Sequence, residues 1–260
     1  MGVSRCLPIL KKKRRIGALT LLTQGLVVDL NADTLAATLN DDDGVATWPN
    51  DGSGSDFTSP QASQQPTFKA ADGSTFNNHA WVNFNEDTDN DEFVQVAATS
   101  HADSTVFVVC ERVDTNTHHY PLVSYIDAVD GLTQRLTFFQ RRNIISNEKI
   151  SVWDPDNLWS MGNSLNIPAV NTEALCEYRY DDGTGVEFWI DGVDEGSDTR
   201  TTNITAFGAY MIGMSNAGET AGGLDERFDG KIARVLVYNR KLTDAERSSV
   251  SLFLRTTYNL

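Results

Sequence analysis

Apolar and polar residues alternate along most of this chain with the two-residue period of β-strands. Ser104–Arg112 (STVFVVCER) departs from strict alternation by being nearly continuously apolar, which predicts a strand buried on both faces. Leu26–Leu30, Val45–Trp48, Phe93–Ala97, Pro121–Ile126, Gln134–Arg141 and Ile150–Trp153 read as further strands. So do Ala174–Tyr180, Gly185–Asp191, Phe207–Met214 and Lys231–Tyr238. Asp181-Asp182-Gly183-Thr184 predicts a hairpin turn between two of them, and Asp191-Gly192 another turn. Pro49–Gln65 and Ser215–Arg227 are polar and rich in turn residues, so they predict surface loops. One helix is predicted, at the C-terminus. Thr243 stands three residues before Glu246, the capping-box spacing, and Val250, Leu252, Phe253 and Leu254 follow. Many short strands, one helix, no repeat and no interdomain linker predict a single all-β domain over residues 26–260.

Charge divides the chain in two. The net charge is −15, yet residues 1–25 carry Arg5, Lys11, Lys12, Lys13, Arg14 and Arg15 with no acid, leaving −21 for the rest. This predicts a basic extended arm, residues 1–25, ahead of an acidic body. Such a body repels phosphates and argues against general nucleic-acid binding, whereas the arm suits an acidic protein surface, anionic lipid or nucleic acid. No segment has the roughly 20 apolar residues of a membrane span. Ile16–Leu22 is short for a signal peptide and no A-x-A site follows it. Met1-Gly2 lacks the Ser or Thr that myristoylation needs, because Cys6 stands there. Cys110 and Cys176 fall in strand-like runs as small core residues; a disulfide between them is left open by the spacing.

The order of short motifs carries a resemblance. FDGKIARVLVYNRKLTDAERSSVSLFLRTTYNL, residues 228–260, resembles the closing strand-turn-helix of laminin-G-like, concanavalin A-like jelly rolls. Leu30-Asn31-Ala32-Asp33 resembles their opening, and Trp48, Gly52, Gly54, Pro66, Trp81 and Phe84 match their layout, with Asn85 departing from the usual Asp-Gly. GVEFWIDG (185–192) and FGAYMIGM (207–214) resemble two further strands. The resemblance implies a jelly-roll β-sandwich with a short C-terminal helix and, ahead of it, the extended arm. It also suggests a setting, since tailed bacteriophages encode such domains. The expectation is then a non-enzymatic virion structural protein of capsid or tail, anchored to other virion proteins by the arm and displaying a lectin-like domain that adheres to host-surface glycans. The alternative is a secreted or surface carbohydrate-binding module. Either is compatible with a homo-oligomer.

Three kinds of chemistry bear on the function of such a chain. Sandwich glycosidases place carboxylates two residues apart on one strand face. Glu187 and Asp191 are four apart with a glycine turn after them, so Glu187 reads as solvent-facing and hydrolysis ranks last. For glycans, Trp153, Asp154, Asp156, Asn157 and Trp159 combine aromatic rings with hydrogen-bonding groups in one stretch. For metals, Asp87, Asp89 and Asp91 supply hard oxygens at alternating positions, so calcium is the candidate ion, without an EF-hand pattern. Asp41-Asp42-Asp43 is a weaker version of the same pattern. No other cofactor is expected. The histidines lie outside any nucleophile motif.

Overall fold

The structure, a computed structural model, describes residues 19–59, 61–85, 93–95, 103–113, 119–126, 135–142, 148–154, 159–160, 168–181, 183–199, 209–213 and 228–260. In chain order the first strands are β1 (Leu26–Asn31), β2 (Thr47–Trp48), β3 (Phe57–Thr58), β4 (Thr67–Lys69), β5 (Trp81–Phe84) and β6 (Phe93–Gln95). Next come β7 (Ser104–Arg112), β8 (His119–Ile126), β9 (Arg135–Arg142), β10 (Glu148–Asp154) and β11 (Trp159–Ser160). The last are β12 (Glu173–Asp181), β13 (Gly185–Ile190), β14 (Val193–Asp198), β15 (Ala209–Ile212) and β16 (Gly230–Tyr238), before the helix α1 (Asp244–Tyr258).

The strands pair antiparallel into two sheets. The first runs β14-β13-β12-β7-β16-β5-β4, with β1 also pairing β16. The second runs β11-β10-β9-β8-β15-β6-β3-β2. Alternation explains how they stack. On β7, Val106, Val108 and Cys110 join the core between the sheets, while Phe107 and Val109 join a second cluster under α1. On β16, Ile232, Val235 and Val237 face the first core and Ala233, Leu236 and Tyr238 the second, across a bulge between Ile232 and Arg234. Both faces of β7 are therefore dry, which is why its sequence is nearly continuously apolar, whereas β16 is interrupted by Lys231 and Arg234, which pair with Glu111 and Asp29. The second sheet closes the sandwich with Trp48, Phe57, Val123, Tyr210 and Ile212. The all-β sandwich with one C-terminal helix matches the expectation from the sequence.

The helix starts as its capping box dictates. The Thr243 hydroxyl accepts from the Glu246 N–H, and the Glu246 carboxylate accepts from the Thr243 N–H at 2.9 Å. Val250, Leu254 and Tyr258 recur at helical spacing and are each 1 % exposed, fixing α1 on β7 and β12. Burying each such side chain contributes about 1.5–3 kcal/mol. The segment ahead of β1 also meets this layer. Leu21 and Leu22 pack on its cluster, and the Tyr238 hydroxyl donates to the Leu22 carbonyl at 2.7 Å.

Five strands go unread in the sequence: β3, β4, β5, β11 and β14. β14 (VDEGSD) is an acidic edge strand broken by Gly196, so it lacks an apolar face. β3, β4, β5 and β11 are two to four residues long, too short to show a period. The expected loop over Pro49–Gln65 thus contains β3, and its first part is fastened to β1. The Asn50 carboxamide oxygen accepts from the Asp29 N–H at 2.7 Å and the Gly52 N–H at 3.0 Å. Its nitrogen donates to the Val27 and Ser55 carbonyls at 3.0 and 3.2 Å. Gly52 lies so close that a Cβ there would stand 2.6 Å from the Val27 oxygen. The hairpin turn between β13 and β14 is as expected, with Asp191 and Gly192 at φ +50° and +76°. Cys110 and Cys176 are free buried thiols whose sulfurs stand 4.0 Å apart in the inter-sheet core, so the disulfide alternative is not the state seen.

Candidate functional site

A sandwich of this kind offers two outer faces, and α1 covers one. Beneath the helix lies a charged layer. Arg247 donates to Glu177 at 2.6 Å, and the Ser251 hydroxyl donates to the same carboxylate at 2.7 Å. The Arg247 guanidinium sits 4.1 Å from the Trp189 ring centroid, with Arg179 on the same ring at 5.2 Å. Arg179 also pairs with Glu187 at 2.8 Å and with Asp244 at 2.7 Å. Burial pushes the Glu177 carboxyl above the usual glutamate range, against the pull of Ser251 and Arg247. Glu187 is 33 % exposed and is held by Arg179, which stands directly opposite it on β12. Asp191 instead accepts from the Leu175 N–H at 2.8 Å. These carboxylates are thus committed to separate structural partners under the helix.

The outer face of the second sheet is different. Tyr210 and Ile212 of β15 face the inter-sheet core, so Met211 lies on the opposite face, where it is buried. Register then extends one row across the sheet. Thr47 pairs Thr58, Thr58 pairs Val94, Val94 pairs Met211, and Met211 pairs Ser124. Ser124 pairs Thr137, Thr137 pairs Trp153, and Trp153 pairs Ser160. Residues opposite one another in antiparallel strands share a face. The row is therefore hydroxyl-rich and holds one tryptophan position. On the core side stand Val123, Tyr125, Leu136, Phe138, Ile150 and Val152, with the polar Gln140, Arg142, Glu148 and Asp154 toward the strand ends.

Register divides the expected glycan set. Trp153 is on the outer face, whereas Trp159 pairs Asp154 and falls on the core side. Asp156 and Asn157 lie outside the described residues. So do Arg5, Lys11, Lys12, Lys13, Arg14 and Arg15 of the arm, and Asp87, Asp89 and Asp91 of the calcium expectation. Among the described residues no cluster of three metal-ligating side chains occurs. The Asp41–Asp43 carboxylates have internal partners. Asp41 accepts from the Ala70 N–H, Asp42 pairs with Lys69, and Asp43 accepts from Asn40. His79 pairs with Asp33 at 2.6 Å beside the Tyr258 ring, and Asp33 also accepts from the Ala80 N–H, so this pair ties a loop to the body. Sequence reasoning missed Glu177 and Arg247. Glu177 alternates with apolar residues as a solvent-facing position does, and only the packed helix shows otherwise.

No protein-family profile matches the chain, and no curated protein does. Solved structures match through fold. Domain 4 of a GH43 extracellular arabinanase from Geobacillus stearothermophilus, in complex with arabinotriose, aligns at a TM-score of 0.54 and 16 % identity, over 87 % of this chain and 97 % of that one. A GH54 α-L-arabinofuranosidase mutant soaked with 4-nitrophenyl α-L-arabinofuranoside aligns at a TM-score of 0.57 and 14 % identity, over 83 % of this chain and 51 % of that one. This chain therefore spans nearly the whole of the arabinanase domain and about half of the arabinofuranosidase. A Trypanosoma rangeli sialidase matches at a TM-score of 0.47 over 36 % of its own length, too loosely to carry weight. The fold is thus a sandwich that occurs in carbohydrate-active proteins. The expectation of a non-enzymatic protein is corrected by these matches, because glycoside hydrolases share the fold and the fold gives no ground for excluding hydrolysis.

Proposed function

We propose that this chain engages carbohydrate through the outer face of its second sheet. The observation that carries the reading is the register row Ser124–Thr137–Trp153–Ser160, which sets a tryptophan position among hydroxyl-bearing ones on the face opposite the core. An aromatic ring gives a flat apolar platform for a pyranose or furanose, and hydroxyls beside it supply hydrogen bonds to the sugar edge. The shared fold with an arabinotriose-bound domain supports the same reading. The test is affinity electrophoresis of the full chain in a panel of polysaccharides, with reducing-sugar release measured in parallel to detect cleavage. Retardation in at least one gel, reduced about tenfold in affinity by Trp153→Ala, is the expected result. Uniform mobility across the panel contradicts it.

The finer proposal places this domain on a virion, with residues 1–25 as its attachment. Its support is the charge contrast between that arm and the remaining −21. A chain lacking residues 1–18, which keeps Leu21 and Leu22 on the helix-side cluster, should then fold and fail to join particles. Calcium at Asp87, Asp89 and Asp91 is likewise a proposal, and it predicts that EDTA changes mobility in the same gels.

A further inference from the structure

Resting on the carbohydrate reading, we infer that the ligand is an acidic polysaccharide, held by a row of basic positions on the same outer face. The row follows from register alone. His119 of β8 pairs Arg141 of β9, and Arg141 pairs Lys149 of β10. These three positions stand side by side across adjacent strands, about 4.8 Å apart. Parity puts them on the face of Trp153. Residues 137, 139 and 141 alternate with the core-side Phe138 and Gln140, and residues 149, 151 and 153 alternate with Ile150 and Val152. Arg135 lies on that face too, opposite Ile126.

Charge makes this placement informative. The chain holds 36 acids against 21 Lys and Arg, six of the latter in the arm. Even so, no acid falls on an outer-face position of the described strands of this sheet. Glu148 and Asp154, the acids these strands carry, pair Arg142 and Trp159 on the core side. Residues 131–147 contain three arginines and no acid. Within the acidic body this row is a local basic patch, which attracts a polyanion that the surrounding acidic surface repels. Arginine matches a carboxylate with two parallel hydrogen bonds. A uronate polymer offers one carboxylate per sugar, together with the ring faces that the Trp153 position suits.

The experiment uses the full chain with sodium polygalacturonate as probe, and dextran, linear arabinan and a DNA duplex as comparators. Polygalacturonate should retard the protein most, and binding should weaken as salt rises. Arg141→Gln with Lys149→Gln should lower its affinity about tenfold while leaving the melting temperature near wild type. Equal retardation by arabinan or dextran, unaffected by the double variant, overturns the acidic ligand and leaves the carbohydrate reading intact. Binding to polygalacturonate that ignores both salt and the double variant overturns the basic row. Equal retardation by DNA shows a general polyanion surface and overturns the proposal, as does salt-sensitive self-association with no polysaccharide bound. Should the double variant unfold, Arg141→Gln and Lys149→Gln are read singly, and an affinity for polygalacturonate unchanged in both overturns the row.

Discussion

The buried Glu177 carboxylate is where a single residue most affects the balance of this fold. It is fully buried, and Arg247 and Ser251 satisfy it from the helix above. Removing the cation leaves an uncompensated buried charge, so Arg247→Met should cost about 3–5 kcal/mol at neutral pH, read by denaturant unfolding. The pH dependence has a definite sign. The folded pKa of Glu177 lies above its unfolded value, so stability falls as pH rises from about 4.3 through the folded value. Arg247→Met removes a group that holds that pKa down. Its melting temperature should therefore drop more between pH 5 and pH 8 than that of the wild type, and parallel profiles would contradict the pairing. Asn50 makes a comparable case in a loop. Asn50→Ala removes two hydrogen bonds to β1 and two within residues 50–55 and should cost about 1–3 kcal/mol. Neither residue was legible from its neighbours in sequence. Glu177 looks like any polar position on an alternating strand, and Asn50 looks like any turn residue, because their partners come from 70 and 21 positions away.

At the scale of elements, sequence and structure agree where a local pattern is long or chemically specific. The capping box of α1 needs only Thr243 and Glu246 and was readable directly. Arg240 and Thr243 hold Glu246 at a pKa of about 2, so its stabilising effect is lost as pH falls from about 4.5 toward 2. Thr243→Ala should lower stability by about 1 kcal/mol. The register of β16 against β7 depends on Gly230. A Cβ there would collide with the Glu111 carbonyl, which is backbone and cannot turn aside. Gly230→Ala should therefore cost about 1–3 kcal/mol, measured by thermal melting. β3, β4, β5 and β11, of two to four residues, and the acidic edge β14 escaped the sequence because none is long or apolar enough to show a period. The glycan stretch at Trp153–Trp159 was legible as chemistry but not as geometry. Alternation across β10 and β11 parts the tryptophans. Trp159→Ala should accordingly lower the melting temperature, whereas Trp153→Ala should leave it near wild type and reduce polysaccharide binding.

For the molecule as a whole, the two outer faces divide the work. The first sheet gives its outer face to α1 and the charged layer beneath it, which fixes the C-terminal third of the chain. The second sheet sets hydroxyl-bearing and basic positions on its outer face, beside the apolar Val94, Met211, Ile126 and Phe139. Fold class was legible because period, turn chemistry and one capped helix all point to a sandwich. Function was less so, since the shared fold embraces binding modules and hydrolases alike. The most direct measurement is a titration of the full chain with sodium polygalacturonate, followed by isothermal calorimetry, for wild type and Trp153→Ala. Saturable binding in the wild type, weakened about tenfold in the variant at unchanged melting temperature, is the predicted result. If no polysaccharide, acidic or neutral, produces a binding isotherm with the folded wild-type chain, the outer face of the second sheet is not a carbohydrate site.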